Sequence, residues 1–134
     1  MVRNKRKDRL RTRLISFVHW RDKFANAIRG LWVGSRGQTS FVFHFVATFL
    51  VCSAAWYLEC VLLEWCLILL CIGLVLSLEM MNSALEKLAE GLCDHENPDV
   101  RDALDIASAA VLVGSLVSVL VGLAVLGTRL WNVS

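Results

Sequence analysis

Charge is scarce in this sequence. Only 19% of its 134 residues are charged, while 57% are hydrophobic and the mean hydropathy is +0.59. A soluble domain carries about 25% charged residues, so the composition excludes both a disordered chain and an ordinary water-soluble enzyme. A chain this short has too little interior to hide so many apolar side chains. The excess must face a membrane. Paired cysteine motifs are also missing. The five cysteines, at 52, 60, 66, 71 and 93, form no CxxC pair and no zinc spacing. Four of them lie in apolar stretches, where cysteine behaves as a small hydrophobe, so packing is expected rather than disulfide or metal chemistry. No GxxxxGKS or GxxxxGKT segment occurs, which removes the commonest ATP-binding loop. No uncharged apolar run precedes Phe41, so the basic head is not expected to be a cleavable signal, whose apolar core follows its charges closely.

What charge there is falls unevenly. Eleven of the 14 Lys and Arg residues lie in the first 36 positions, and ten of the 12 acidic residues lie after position 58. Within residues 1–13, Arg3, Lys5, Arg6, Lys7, Arg9, Arg11 and Arg13 face only Asp8. A basic head ahead of apolar segments fits a cytoplasmic N-terminus at an anionic lipid surface better than a nucleic-acid arm. Residues 1–19 read as an extension, and residues 20–134 as the working domain.

The expected fold is all-α: one amphipathic surface helix and three membrane-spanning helices. Three stretches, 41–58, 60–78 and 106–128, meet the length of about 20 apolar residues that a span needs. Their only ionisable side chains, cysteines and Tyr57 aside, are His44 and Glu64. Upstream, Leu14, Phe17, Val18, Phe24, Ile28 and Leu31 recur at helical spacing, with Arg13, Arg21, Asp22, Lys23 and Arg29 on other faces. Trp20 and Trp32 would anchor such a helix in the membrane plane. Residues 34–40 should break it. Asn97-Pro98-Asp99 is a helix start, because Asn caps, Pro suits the first turn and Asp meets the positive end of the dipole. Ala110, Gly114, Ser118 and Gly122 form a small-residue stripe suited to close helix packing in lipid. Three helices alone enclose little, so a homo-oligomer is expected. With the head inside, residues 91–104 form a cytoplasmic loop.

The chemically informative segment is LEMMNSALEKLAEG, residues 78–91. Glu79, Asn82, Glu86 and Glu90 stand at i, i+3, i+7 and i+11, along one helical face. A solvated helix end would explain the outer members of this set. Glu79, however, follows 14 uncharged residues and should sit at membrane depth, where an ionisable side chain marks function. The like charges also repel unless a cation lies between them, and Mg2+ carrying phosphates would serve. Other polar residues take plainer readings. His44 is expected to pack between helices, Glu59 and Glu64 to face water or headgroups at an outer turn, and Lys87 to pair with nearby acids. Asp94-His95-Glu96 are adjacent in sequence and cannot converge on a metal.

The sequence resembles the small bacterial integral-membrane diacylglycerol kinases and undecaprenol kinases. The resemblance rests on Glu79-x-x-Asn82-Ser83-Ala84-x-Glu86, on Glu90, and on Asp105-x-Ala107-x-Ala109-Ala110-Val111. Phe24-x-x-Ala27-x-x-Gly30-Leu31 and His44 add to it, and it covers most of the chain after about residue 20. It implies a Mg2+-dependent lipid kinase using ATP, working as a homotrimer in the bacterial inner membrane with active sites shared between protomers at the cytoplasmic interface. By matching position, Glu79 would take the proton from the lipid hydroxyl, with Asn82 beside it. Glu86 would bind Mg2+, and Glu90 and Asp105 would help hold the nucleotide. Diacylglycerol is the first expected acceptor and undecaprenol the second. The sequence departs from the family at two places. Leu104 stands where a lysine is usual, and Arg101, one turn earlier, would reach the phosphates instead. Gln38 stands where a second metal-binding Glu is usual, and Ser40 replaces a neighbouring Asn. The expectation is a divergent kinase; a catalytically silent relative with an assembly role is the alternative. A pore would leave the Glu79–Glu90 face without a purpose.

Overall fold

The computed structural model describes residues 20–36, 39–92 and 97–133. The basic head, Gln38 and the Asp94-His95-Glu96 triplet lie outside the described residues. Among the described residues the chain is helical throughout, with no strand. It divides into two units, residues 1–36 and 37–134.

The first unit contains helix α1, residues 20–35. Trp20, Phe24, Ile28, Leu31 and Trp32 are all exposed, as expected for a helix whose apolar face meets lipid. Two cations lie over its tryptophans: Lys23 Nζ is 5.6 Å from the Trp20 ring centre and Arg36 is 4.5 Å from that of Trp32. The expected break at 34–40 is narrower in the structure. Gly34 and Ser35 remain helical, with Ser35 Oγ donating to the Leu31 carbonyl, and the next helix already begins at Thr39.

The second unit is a three-helix assembly: α2 (Thr39–Tyr57), α3 (Leu62–Leu92) and α4 (Pro98–Val133). All three are long and apolar enough to cross a membrane. At 1.5 Å per residue, α3 and α4 are about 46 and 54 Å long, well beyond the ~30 Å hydrocarbon core. Both therefore extend past the lipid, which the apolar runs at 60–78 and 106–128 do not reveal.

The α2–α3 hairpin is closed by local chemistry. Cys60 N–H donates to the Ala55 carbonyl and Glu59 N–H to that of Trp56, the paired bonds of a Schellman cap. Glu59 holds its left-handed position at φ 50°, where glycine is usual, at a cost of about 1 kcal/mol. Glu64 then reaches back to accept from Val61 N–H at 2.8 Å, half of a capping box that starts α3. Helix α4 begins where the sequence signals it: Asn97 Oδ1 accepts from Asp99 N–H, and the Asn97 carbonyl from Arg101 N–H.

Helix α4 packs mainly on α3, with α2 more lightly attached. The small-residue stripe serves that contact unevenly. A methyl group at Gly114 would stand 2.5 Å from Leu78 Cδ1, so the two backbones approach closely there. Ser118 Oγ lies 3.5 Å from the Cys71 carbonyl, whereas Ala110 is exposed and Gly122 has open space beside it. The buried core is small, centred on Ala55, Ile68 and Val125. Phe43, Phe49, Leu70, Leu120, Leu123 and many other large apolar side chains face outward, the reverse of a soluble protein. Trp56, Tyr57 and Trp131 are more than 80% exposed and gather at the hairpin end, where an aromatic belt meets the headgroups.

Candidate active site

Glu79 is the most deeply placed acid of the polar face. It is buried, 3% exposed, and stands 17 residues along α3 from Leu62, a rise of about 26 Å that still falls within a hydrocarbon core. Helix α2 supplies its partners. Ser40 Oγ donates to Oε1, and His44 Nε2 lies 3.8 Å from Oε2. Ser40 and His44 are one turn apart on α2, so a single helix face addresses both carboxylate oxygens. The Glu79 carbonyl accepts from Ser83 Oγ at 2.9 Å, and Ser83 is fully buried.

One turn further along, Asn82 is buried and linked in two directions. Its Nδ2 donates to Glu86 Oε1 at 2.7 Å, and its Oδ1 faces Ser108 Oγ of α4 at 3.4 Å. The amide is thereby oriented between helices, with Glu86 half-buried at its outer side. Glu79, Asn82 and Glu86 thus lie along one polar face, as their spacing predicts, with Asn82 hydrogen-bonded to Glu86. Glu90, Arg101 and Asp105 are exposed, and Leu104 is half-buried. They lie on the parts of α3 and α4 beyond the longest apolar stretches, open to water-soluble molecules but not joined to the Glu79 cluster. Gln38 falls outside the described residues.

Three features were not foreseen. His44 approaches Glu79 rather than simply packing, and Ser40 donates to it. Both follow from how α2 docks on α3, which no local spacing encodes. The third is a correction: Glu64 does not simply face water at the turn. Arg129 Nε lies 2.8 Å from both Glu64 oxygens, tying the start of α3 to the end of α4.

Between these two acidic positions, α2, α3 and α4 line a partly open apolar cavity of about 300 Å³. His44 and Leu76 line it, with Val51, Ile72, Ser118 and Leu126 further along. His44 therefore belongs both to the cavity wall and to the surroundings of Glu79.

These features define a class: a three-span membrane protein with a buried carboxylate at one end of an apolar cavity and further acids beyond it. Residues 25–126 match the family described as prokaryotic diacylglycerol kinase. Undecaprenol kinase of Bacillus subtilis (strain 168) is 35% identical over 100 residues, covering 75% of this chain and 81% of that protein. No solved structure matches. The chain belongs to the prokaryotic diacylglycerol kinase family, a family of membrane lipid kinases.

Proposed function

We propose that the chain transfers the terminal phosphate of ATP to the hydroxyl of a membrane lipid alcohol, with Glu79 as the base. The observation that carries this reading is a carboxylate buried at hydrocarbon depth with no lysine or arginine paired to it among the described residues. In the step, the lipid O–H gives its proton to Glu79 while its oxygen bonds to the γ-phosphorus. The bond from that phosphorus to the β-phosphate oxygen breaks, and ADP leaves. Phosphoryl transfer depends on positioning and charge neutralisation, and a base within reach of the acceptor hydroxyl supplies the proton path.

Mg2+ suits the donors present. Among the described residues no three His, Cys, Asp or Glu side chains converge on one point. Magnesium does not require this, because it commonly keeps waters and substrate phosphates and takes only one or two carboxylates. Glu86 would hold it, with Gln38 as a weaker second oxygen, and the bound ion would neutralise phosphate charge. Asn82 fixes the Glu86 carboxylate through its 2.7 Å hydrogen bond. Glu90, Asp105 and Arg101, exposed at the ends of their helices, would meet the nucleotide.

For the acceptor, a single-chain prenol is favoured over diacylglycerol. The Bacillus subtilis relative is named for undecaprenol, and the apolar pocket lined by His44 offers a place for an isoprenoid chain. Diacylglycerol is the second reading, supported by the description of the family. The small buried core of the three helices supports a homo-oligomer, a trimer by family likeness, and the basic head supports a cytoplasmic N-terminus at the bacterial inner membrane. The test is transfer from labelled ATP with Mg2+ by the detergent-solubilised protein, offering undecaprenol and diacylglycerol separately. Transfer to undecaprenol that E79Q abolishes is expected. Transfer to diacylglycerol alone would reverse the choice of acceptor, and no transfer by folded, lipid-binding protein would favour the silent relative.

A further inference from the structure

We infer that Ser40 and His44 of α2 are a positioning pair for the Glu79 carboxylate, and that the docking of α2 on α3 sets the base for reaction. The inference rests on the reading of Glu79 as the base and adds to it the residues that hold that base in place.

A carboxylate at the end of a two-bond flexible stem, in apolar surroundings, turns toward whatever donors it can find. An unmade hydrogen bond there is costly. Among the described residues, the side chains against the Glu79 carboxylate come from α2. Ser40 Oγ donates to Oε1, and His44 Nε2 stands 3.8 Å from Oε2. On its own helix, the Ser83 hydroxyl is turned to the Glu79 backbone carbonyl, and the Asn82 amide to Glu86. Helix α4 offers Ser108 to Asn82 and packs Gly114 against Leu78. The carboxylate is therefore held from α2, hydrogen-bonded by Ser40 at one oxygen with His44 beside the other. His44 is 21% exposed and also lines the apolar cavity, so it stands between the space proposed for the acceptor tail and the oxygen proposed to take the proton. Neither residue carries a formal charge fixed against the carboxylate. The pair can therefore aim Glu79 without cancelling its capacity to accept a proton, as an arginine would. A misplacement of about 1 Å at a reacting group can cost two orders of magnitude in rate.

The experiment uses the full chain in detergent with labelled ATP, Mg2+ and whichever lipid alcohol the wild type phosphorylates. S40A, H44A and the double variant are compared with the conservative S40T and H44Q, and with E79Q. Each alanine variant is expected to lower kcat by about tenfold, with KM for ATP within about twofold of wild type, since the nucleotide is not touched. S40T and H44Q should recover most of the loss, because each keeps a donor. The double variant should lose much less than the product of the two single losses, since both act on one carboxylate. Thermal midpoints and elution volumes establish that each variant is folded; should H44A fail there, unchanged kcat in folded S40A alone overturns the pair, with S40T as its conservative control. Unchanged kcat in folded S40A and H44A, with E79Q inactive, would overturn the positioning pair and leave the base reading standing. An active E79Q would instead overturn the base reading. Losses that multiply in the double variant, or that fall on KM for ATP, would also refute the pair.

Discussion

Helix α3 carries two acids near opposite ends of its apolar stretch, Glu64 and Glu79, about 22 Å apart along the axis. Their surroundings differ in one respect that decides their chemistry. Glu64 meets the Arg129 guanidinium with both oxygens at 2.8 Å and also caps its own helix through Val61 N–H. Glu79 meets a hydroxyl and an imidazole. A permanent cation makes a carboxylate a fixed anion and a clamp between helices. Donors without a permanent charge orient a carboxylate but leave it able to take a proton. The same side chain on the same helix is thus a tie at one end and a candidate base at the other, with the apolar pocket between them. Family membership makes this division meaningful, since a lipid kinase needs reactive chemistry at only one interface.

The largest effect should come from removing the base. E79Q keeps shape and hydrogen-bonding capacity but cannot accept the proton, and a loss of about 10³-fold in kcat is expected with an unchanged thermal midpoint. A more pointed test makes the two ends alike. H44R would bring a guanidinium to Glu79 and turn it into a second Glu64. Transfer should fall by about 100-fold while the midpoint stays level or rises, and the measurement is labelled-phosphate transfer beside thermal unfolding in detergent. Full activity in folded H44R would show that a fixed cation does not disable this carboxylate, and the comparison would break.

The contrast also marks the limit of sequence reading here. The three spans, the start of α4 at Asn97-Pro98-Asp99 and the face formed by Glu79, Asn82 and Glu86 are all local patterns of run length, capping and period. They are present in the structure where the sequence indicates them, apart from helix ends that overrun the apolar runs. The partners of the two acids are not local. Ser40 lies 39 residues from Glu79, and Arg129 lies 65 from Glu64. Counting charges offered one missed signal. Only Lys87, Arg101 and Arg129 are basic after Arg36, and an up-and-down chain puts Arg129 at the same membrane face as Glu64. For Ser40 and His44 no comparable signal exists, because the rotation of α2 on α3 depends on packing.

A smaller effect should follow from disturbing the seam beside the base. Gly114 faces Leu78, the residue before Glu79, and an added methyl would meet Leu78 Cδ1 at 2.5 Å. That atom is the free end of a flexible side chain, so Leu78 can turn aside at a cost of about 1 kcal/mol. G114A should lower the thermal midpoint modestly and reduce kcat by about threefold through a slight shift of Glu79. G127A, where open space awaits the methyl away from the pocket, should change neither. Equal responses at the two glycines would mean that the close approach is not centred on Leu78.

The smallest effect on activity is expected at the other end. R129M leaves Glu64 without its cation in an apolar setting, and the thermal midpoint should fall by several degrees. E64Q leaves Arg129 unpaired but within reach of headgroups at the aromatic belt and should fall less. Combining them removes both charges, so the double variant should recover part of the R129M loss, the mark of a direct pair. In all three, kcat at a temperature well below unfolding should match wild type, because Glu79 is one helix span away and its donors come from α2. A large kcat loss in folded E64Q or R129M would mean that the two ends of α3 are coupled through the bundle, and that the tie at one end helps to hold the base at the other.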